Sequence, residues 1–334
     1  MATAPEIMRC MEVWGGNHPV DSGVAMPGLD AWVYSRPYAK AAAQPASAGG
    51  DVYYVSSCAG GQIARLLVAD VSGHGTTVSE VALSLRTLMR KYVNYLNPEK
   101  FVGEMNRRFA ELTENGSFAT AVVSTFFSPT NQVTFCNAGH PPPLLYQPGH
   151  GWSYLESREV EGDAPADLPL GIEGTSAYSQ SWVKLRRGDL VLCYTDGLPE
   201  SRGADGDFLG QAGLLEIART IDVADPTKVV PALLKAIEDV HPGNLTGDDI
   251  TVLLFRASGD GANSSFARRL LAPFRLAKEL MISAFPGGGP PPWPDYHPAP
   301  SVWDRFRKNK LPAAPNSSAA PVAAPRDPQR REKR

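Results

Sequence analysis

Two rhythms organise the apolar positions of the first 256 residues. Alternation with period two, or short runs that are apolar throughout, marks strands, whereas apolar residues spaced three and four apart mark helices. Leu29 to Arg36 reads as a first strand. Val52 to Ser57 and Ile63 to Ala69 read as a hairpin around Cys58-Ala59-Gly60-Gly61, and Ala119 to Phe127 with Asn131 to Asn137 as another around Ser128-Pro129-Thr130. Further strands are expected at Leu144 to Gln147, Gln180 to Leu185, Asp189 to Tyr194 and Ile250 to Arg256. The run ending at Tyr194 hardly alternates, which predicts a central strand covered on both faces. One helix, capped by Thr76 or Thr77, carries Val78, Val81, Leu85, Leu88, Met89 and Tyr92 on its buried stripe. Pro98 opens a second, with Phe101, Met105, Phe109 and Leu112, and two more are expected at Leu209 to Ile221 and Pro226 to Val240. Adjacent strands joined by short turns, with the helices in two pairs, predict an α+β fold. Its layers are two packed, mainly antiparallel β-sheets flanked by helices, an α-β-β-α sandwich.

The pattern also divides the chain. Residues 1–48 hold a turn-rich lead, the first strand and a small-residue loop, and residues 29–256 form the folded domain. Residues 257–285 carry a basic amphipathic segment, Phe266 to Phe285, which reads as a helix docked on the domain. Contact with an anionic membrane by 264–285 is the rival reading, and Pro273, which interrupts the segment, argues against it. Residues 286–334 are a Pro/Ala-rich basic tail of the composition that stays disordered.

A chain of 334 residues with 43% hydrophobic residues can bury a full core. The net charge of −3 hides an asymmetry: from Ala257 onward, 13 Lys/Arg face 6 Asp/Glu, leaving a net of −10 before that point. An acidic domain argues against nucleic acid as its substrate, because phosphate backbones need a basic face. No run approaches the roughly 18 to 20 apolar residues of a membrane span, and the N-terminus lacks the pattern of a secretory signal, so a cytoplasmic location is expected. Cys10, Cys58, Cys136 and Cys193 show no C-x-x-C spacing and read as small buried hydrophobes of a reducing compartment.

The candidate chemistry lies in four aspartate motifs, each where a strand-like run meets a turn: Gly49-Gly50-Asp51, Asp70-Val71-Ser72-Gly73-His74-Gly75, Thr195-Asp196-Gly197 and Gly247-Asp248-Asp249. A single Asp-Gly is ordinarily only a turn. Four of them at strand ends read instead as a carboxylate cage for two hard divalent cations, Mn²⁺ or Mg²⁺, which take oxygen ligands. Ser72 and His74 are too close to Asp70 on one tight loop to act as a hydrolytic triad, and no P-loop lysine follows the glycines.

The ordered blocks GGDVYY, LLVADVSGHG, NAGHPPPLL, LPLG, RRGDLVLCYTDGLPES and GDDITVLLFR resemble the metal-dependent PP2C-type serine/threonine phosphatases of the bacterial sporulation and stress-response branch. The resemblance spans roughly Gly49 to Arg256 and implies a PP2C-like sandwich with the metals at one edge. It further implies that Asp70 serves both metals with the Val71 carbonyl assisting, that Asp51 and Asp196 add ligands, and that Asp248 binds the metal shared with Asp196; Asp249 and Asp248 are able to exchange roles. His74 is the expected general acid, titrating near neutral pH, and His140 is expected to support the site structurally. Two departures stand out. Tyr54 occupies a position that is acidic in many relatives, which predicts a missing outer metal contact, and no arginine aligns as a phosphate clamp, Arg36 being the nearest.

The expected function is therefore hydrolysis of protein phosphoserine or phosphothreonine by a two-metal-activated water, with an anti-anti-sigma-type factor as the substrate in a partner-switching pathway. A regulatory partner is expected at helix 76–97 or the tail. The alternatives are a pseudophosphatase that binds phosphoprotein without turnover, motivated by Tyr54 and the missing clamp, and a scaffold driven by the tail.

Overall fold

Residues 6–8, 13–38, 48–58, 61–72, 76–92, 95, 97–112, 117–155 and 166–258 are described by a computed structural model of the chain. The expected segments beyond Ser258, the amphipathic stretch 264–285 and the tail, lie outside the described residues, as does His74. By contact density the chain divides into Met1–His297 and Pro298–Arg334, and everything below concerns the first.

Two sheets carry the fold. The first runs β1 (Glu6–Ile7), β3 (Val20–Met26), β4 (Leu29–Arg36), β13 (Ile250–Ala257), β12 (Leu190–Tyr194), β9 (Leu144–Gln147), β10 (Gly151–Tyr154). The second runs β11 (Ser181–Lys184), β8 (Gln132–Ala138), β7 (Ala119–Phe127), β6 (Ile63–Val71), β5 (Asp51–Cys58), β2 (Val13–Gly16). Every pairing is antiparallel except β1 with β3. Helices α1 (Thr76–Tyr92) and α2 (Pro98–Leu112) belong to the second sheet, α3 (Gly210–Thr220) and α4 (Pro226–Val240) to the first.

Strand alternation sorts the apolar side chains into three layers. Val33, Tyr53, Val55, Leu66, Val68, Cys193 and Leu253 meet between the sheets. Tyr54, Leu67 and Val123 face the other way and pack with Leu85, Met89 and Phe101 of α1 and α2. Leu192, Tyr194 and Leu254 pack with Leu214, Leu233 and Ile237 of α3 and α4. β12 is buried at every position, as a strand covered on both faces must be. The α+β sandwich is the expected one. α4 starts where Asp225 accepts the Thr227 N–H, with Pro226 in the first turn. Cys136 and Cys193 are buried free thiols, each pushed up to about 12 by burial.

The turn-rich lead expected before Leu29 is in fact three strands. Glycines mask them in the sequence, yet those glycines are required by close packing. A Cβ on Gly15 would lie 2.7 Å from the Tyr53 carbonyl, and one on Gly23 would lie 2.7 Å from the Trp32 ring.

Candidate metal centre

Asp51 opens β5 and Asp70 stands next to the end of β6, and the two are direct cross-strand partners. Each shares the face of Tyr53 or Val68, so both carboxylates project into the layer between the sheets, at the edge where the apolar filling stops. Opposite them β12 ends and β13 begins. Thr195, one residue past β12, donates its hydroxyl to Asp51 Oδ2 at 2.8 Å and accepts the Thr251 N–H at 2.9 Å. Asp196 follows at once. Asp248 and Asp249 lead into β13 on the same edge.

Electrostatics shows which carboxylates feel one another. Burial, then Asp70 and Asp249, push Asp51 well above its ordinary value, against the hydroxyls of Thr195 and Thr251. Asp70 is pushed up to about 7, first by burial and then by Asp196, Asp248, Asp249 and Glu200. Asp196 rises to about 6, through burial, Glu200 and Asp248, and partial burial raises Asp248 at the exposed rim. Among the described residues none of these acids forms an ion pair with a basic side chain. Neighbouring buried carboxylates without a cation are unstable as anions, and each holds a proton more tightly as a result.

Asp248 and Asp196 accept backbone N–H groups only from their own turns, whereas Asp249 reaches distant segments. Its oxygens accept the N–H groups of Tyr38 and Gly50, both at 2.5 Å, and of Asp51 at 3.3 Å. It fastens the segment leading into β5 to the start of β13. Gly49 faces the Asp249 carboxylate so closely that a Cβ has no room there, and a Cβ on Gly50 would lie 3.0 Å from both the Val71 carbonyl oxygen and Val78. Both glycines are set by close approach.

The expected cage is more open than a closed ligand shell. Among the described residues no three acidic, histidine or cysteine side chains converge as one metal-binding group. The donor set nonetheless fits hard cations, since Mg²⁺ is ordinarily held by one or two carboxylates and keeps several waters. Hard oxygen donors without a counter-charge are what such an ion requires.

Two sequence expectations change. Position 54 lies three residues past Asp51 in an unbroken register, so Tyr54 points to the α1 and α2 side and a carboxylate there would face away from the centre. The predicted loss of a metal contact is therefore withdrawn. Arg36 shares the face of Trp32 and Tyr34, toward α3 and α4, and donates to the Leu245 carbonyl; it is no phosphate clamp. His140 is fully enclosed, pulled down to about 3 by burial, and its Nδ1 lies 2.9 Å from Thr120 Oγ1, while Asn137 accepts its N–H. Thr120 is the cross-strand partner of Asp70 on β7, so His140 buttresses the site as a neutral ring. Thr195, Thr120 and Glu200 were not read as site residues. Thr195 and Glu200 lie within the block that carries Asp196, but a hydroxyl or a turn glutamate has no signature of its own.

A helix-flanked β-sandwich with carboxylates gathered at one edge between its sheets is the architecture of the PP2C-type phosphatases. The family model described as Stage II sporulation protein E (SpoIIE) matches residues 60–258, more than half of the chain, and the chain belongs to that family. Phosphoserine phosphatase RsbP of Bacillus subtilis is 26% identical over 138 residues, covering 40% of this chain and 32% of its own. Phosphoserine phosphatase RsbU of the same organism is 23% identical over 193 residues, covering 58% of this chain and 55% of its own. The matched region thus spans about a third to about half the length of these curated relatives. The solved RsbU and RsbW domains of Rv1364c from Mycobacterium tuberculosis are 27% identical with a TM-score of 0.55, covering 72% of this chain and 63% of that one. The family match begins after Asp51, so Asp51 joins the centre by its pairing with Asp70.

Proposed function

We propose that the chain is a divalent-metal-dependent protein phosphatase that hydrolyses phosphoserine or phosphothreonine on a protein substrate. The carrying observation is that Asp51, Asp70, Asp196 and Asp248 stand at one edge of the sandwich, with burial and neighbouring acids raising their affinity for protons and no ion pair to a basic side chain among the described residues. Two Mn²⁺ or Mg²⁺ ions, when bound, supply charge neutralisation on the phosphoryl oxygens and activation of a water.

In this reading Asp70, which feels acids of both sheets, would serve both ions together with the Val71 carbonyl. Asp51 would hold its side of the centre in the orientation fixed by Thr195, and Asp196 and Asp248 would hold the rim. Asp249, whose oxygens are taken by backbone N–H groups, keeps the loops in place instead of exchanging with Asp248. His74 would deliver the proton to the departing seryl or threonyl oxygen, the one step for which a group titrating near neutral pH is needed. The names of the phosphoserine phosphatases RsbP and RsbU support phosphoserine as the substrate residue; the substrate would be an anti-anti-sigma-type factor of a partner-switching pathway, and helix 76–97 would be the surface for a regulatory partner. The pseudophosphatase reading loses its motive from Tyr54, which points away from the centre.

The test is hydrolysis of phenyl phosphate by the full chain across Mn²⁺ and Mg²⁺ titrations. Turnover that requires metal and disappears in Asp70→Asn and Asp196→Asn is the expected result. Turnover that ignores metal, or that persists in both variants, would overturn the proposal.

A further inference from the structure

A cleft of about 320 Å³ is lined by Asp248 and by Gly197, the neighbour of Asp196, together with Glu200, Arg202, Phe208 and Asn244. Phe208 is 63% exposed, more than any other large apolar side chain among the described residues. Such exposure often marks a floppy loop, but here the opposite holds. Residues 201–209 form a tight hairpin: Gly203 N–H donates to the Asp207 carbonyl, Leu209 N–H to Ser201 and Gly210 N–H to Pro199, and Arg202 bridges Phe208. Buried Asn244 bolts the base. Its Oδ1 accepts the Arg202 N–H at 2.8 Å, and its Nδ2 donates to the Arg202 and Ile237 carbonyls, each at 2.9 Å.

The hairpin therefore presents a fixed pair. The Arg202 guanidinium lies 5.3 Å over the Phe208 ring and donates to the Gly206 carbonyl at 2.6 Å, leaving further N–H groups for a ligand. Among the described residues Arg202 forms no ion pair, and this includes the hairpin's own acids, Asp205 and Asp207. His241 is the other basic group of the lining, and Glu200 and Asp248 are its acids. An arginine stacked on an exposed aromatic and held by its backbone matches a recognition anchor, because little freedom remains to be lost on binding.

We propose that Arg202 and Phe208 recognise the polypeptide that flanks the phosphorylated residue, Arg202 receiving an acidic side chain of that polypeptide. This rests on the phosphatase reading and deepens it. With the phosphoryl group at the carboxylate end, the substrate chain runs out along the cleft, where Glu200 and Asp248 repel carboxylates. An acidic side chain gains where the lining is positive, at the guanidinium of Arg202. The ring offers apolar contact beside it.

The experiment is turnover of a degenerate phosphoserine peptide library by the metal-loaded full chain, with one flanking position varied at a time and products read by mass spectrometry. At one flanking position the wild-type chain is expected to convert Asp and Glu peptides about five-fold faster than Lys and Arg peptides. Arg202→Glu should reverse that preference, and Arg202→Lys should keep its sign. Phe208→Ala removes a side chain the fold does not bury and should raise KM across the library, which keeps the idea testable even if Arg202→Glu does not fold. A flat wild-type preference, or the same preference in Arg202→Glu, overturns the proposal. Phenyl phosphate separates the two levels: its hydrolysis with a flat peptide preference removes only the recognition role, and hydrolysis of neither removes the phosphatase reading and this one with it.

Discussion

The two sheets contribute their carboxylates in different ways. Asp51 and Asp70 are strand residues whose direction is set by register, since a slip of one residue would turn both away from the space between the sheets. Asp196, Asp248 and Asp249 stand on turns just outside β12 and β13, where direction depends on local hydrogen bonds such as those Asp249 makes to Tyr38 and Gly50. The strand pair is buried and rigid but costly, with like charges directly opposed. The turn residues are held by local bonds, and Asp248 among them is exposed to water. A centre built this way has one wall set by strand register and another set by turn hydrogen bonds.

The largest expected effect breaks the strand wall. Asp70→Asn should lower metal-dependent phosphatase turnover by about 100-fold or more, because several kcal/mol of charge stabilisation depend on the ions it would hold. The same variant should melt at a higher temperature than wild type without metal, since it removes a buried charge that feels Asp51, Asp196, Asp248, Asp249 and Glu200. A metal-free Asp70→Asn chain that melts lower would show that the carboxylates do not repel as described.

Next come the two adjacent turn acids, which the structure separates. Asp249→Ala frees three backbone N–H groups and should cost about 2 kcal/mol of stability in denaturant unfolding. Asp248→Ala should leave stability nearly unchanged while weakening the metal dependence of turnover. Equal losses of stability in both would remove the distinction.

pH should expose the contrast without mutation. Asp70 titrates at about 7 and Asp196 at about 6 in the folded chain, against an ordinary value of 3.8. Between those limits the folded chain keeps protons that the unfolded chain has released. The stabilisation is therefore complete below about pH 4 and is lost as pH rises through about 7. Thermal melts of the metal-free chain should fall over that range, and added Mn²⁺ should reverse the fall at neutral pH by taking the place of the protons. A melting temperature that rises with pH in the absence of metal would contradict the coupling.

Both walls were legible in part in the sequence. The run ending at Ala69 places Asp70 at a strand end and the run ending at Tyr194 places Asp196 on the turn just past one, and the four motifs together suggest the centre. What stayed hidden is what period and spacing do not encode. Gly15 and Gly23 read as turns because their reason, contact with Tyr53 and Trp32, lies on other elements. Tyr54 read as a lost ligand because spacing from Asp51 was taken without the strand's alternation, which three residues reverses. Arg202 and Phe208 carried no signal, as their pairing is made by Asn244, some forty residues away.

The smallest effect tests the junction of the two walls. Gly50 accepts the Val71 N–H at 3.3 Å, donates to Asp249, and faces the Val71 carbonyl oxygen. A methyl group there would lie 3.0 Å from that oxygen and from Val78, tighter than ordinary contact, and Val78 can yield only into the packed α1 layer. Gly50→Ala should then cost about 1 kcal/mol of stability, in the range of mild overpacking. It should raise the Mn²⁺ concentration for half-maximal turnover a few-fold, because the carbonyl is displaced while all four carboxylates remain. Gly103→Ala, at an α2 position with nothing within 4 Å of the added Cβ, is the matched control. If Gly50→Ala shifted stability alone, the Val71 carbonyl would be a structural neighbour of the metals and the centre would rest on its carboxylates.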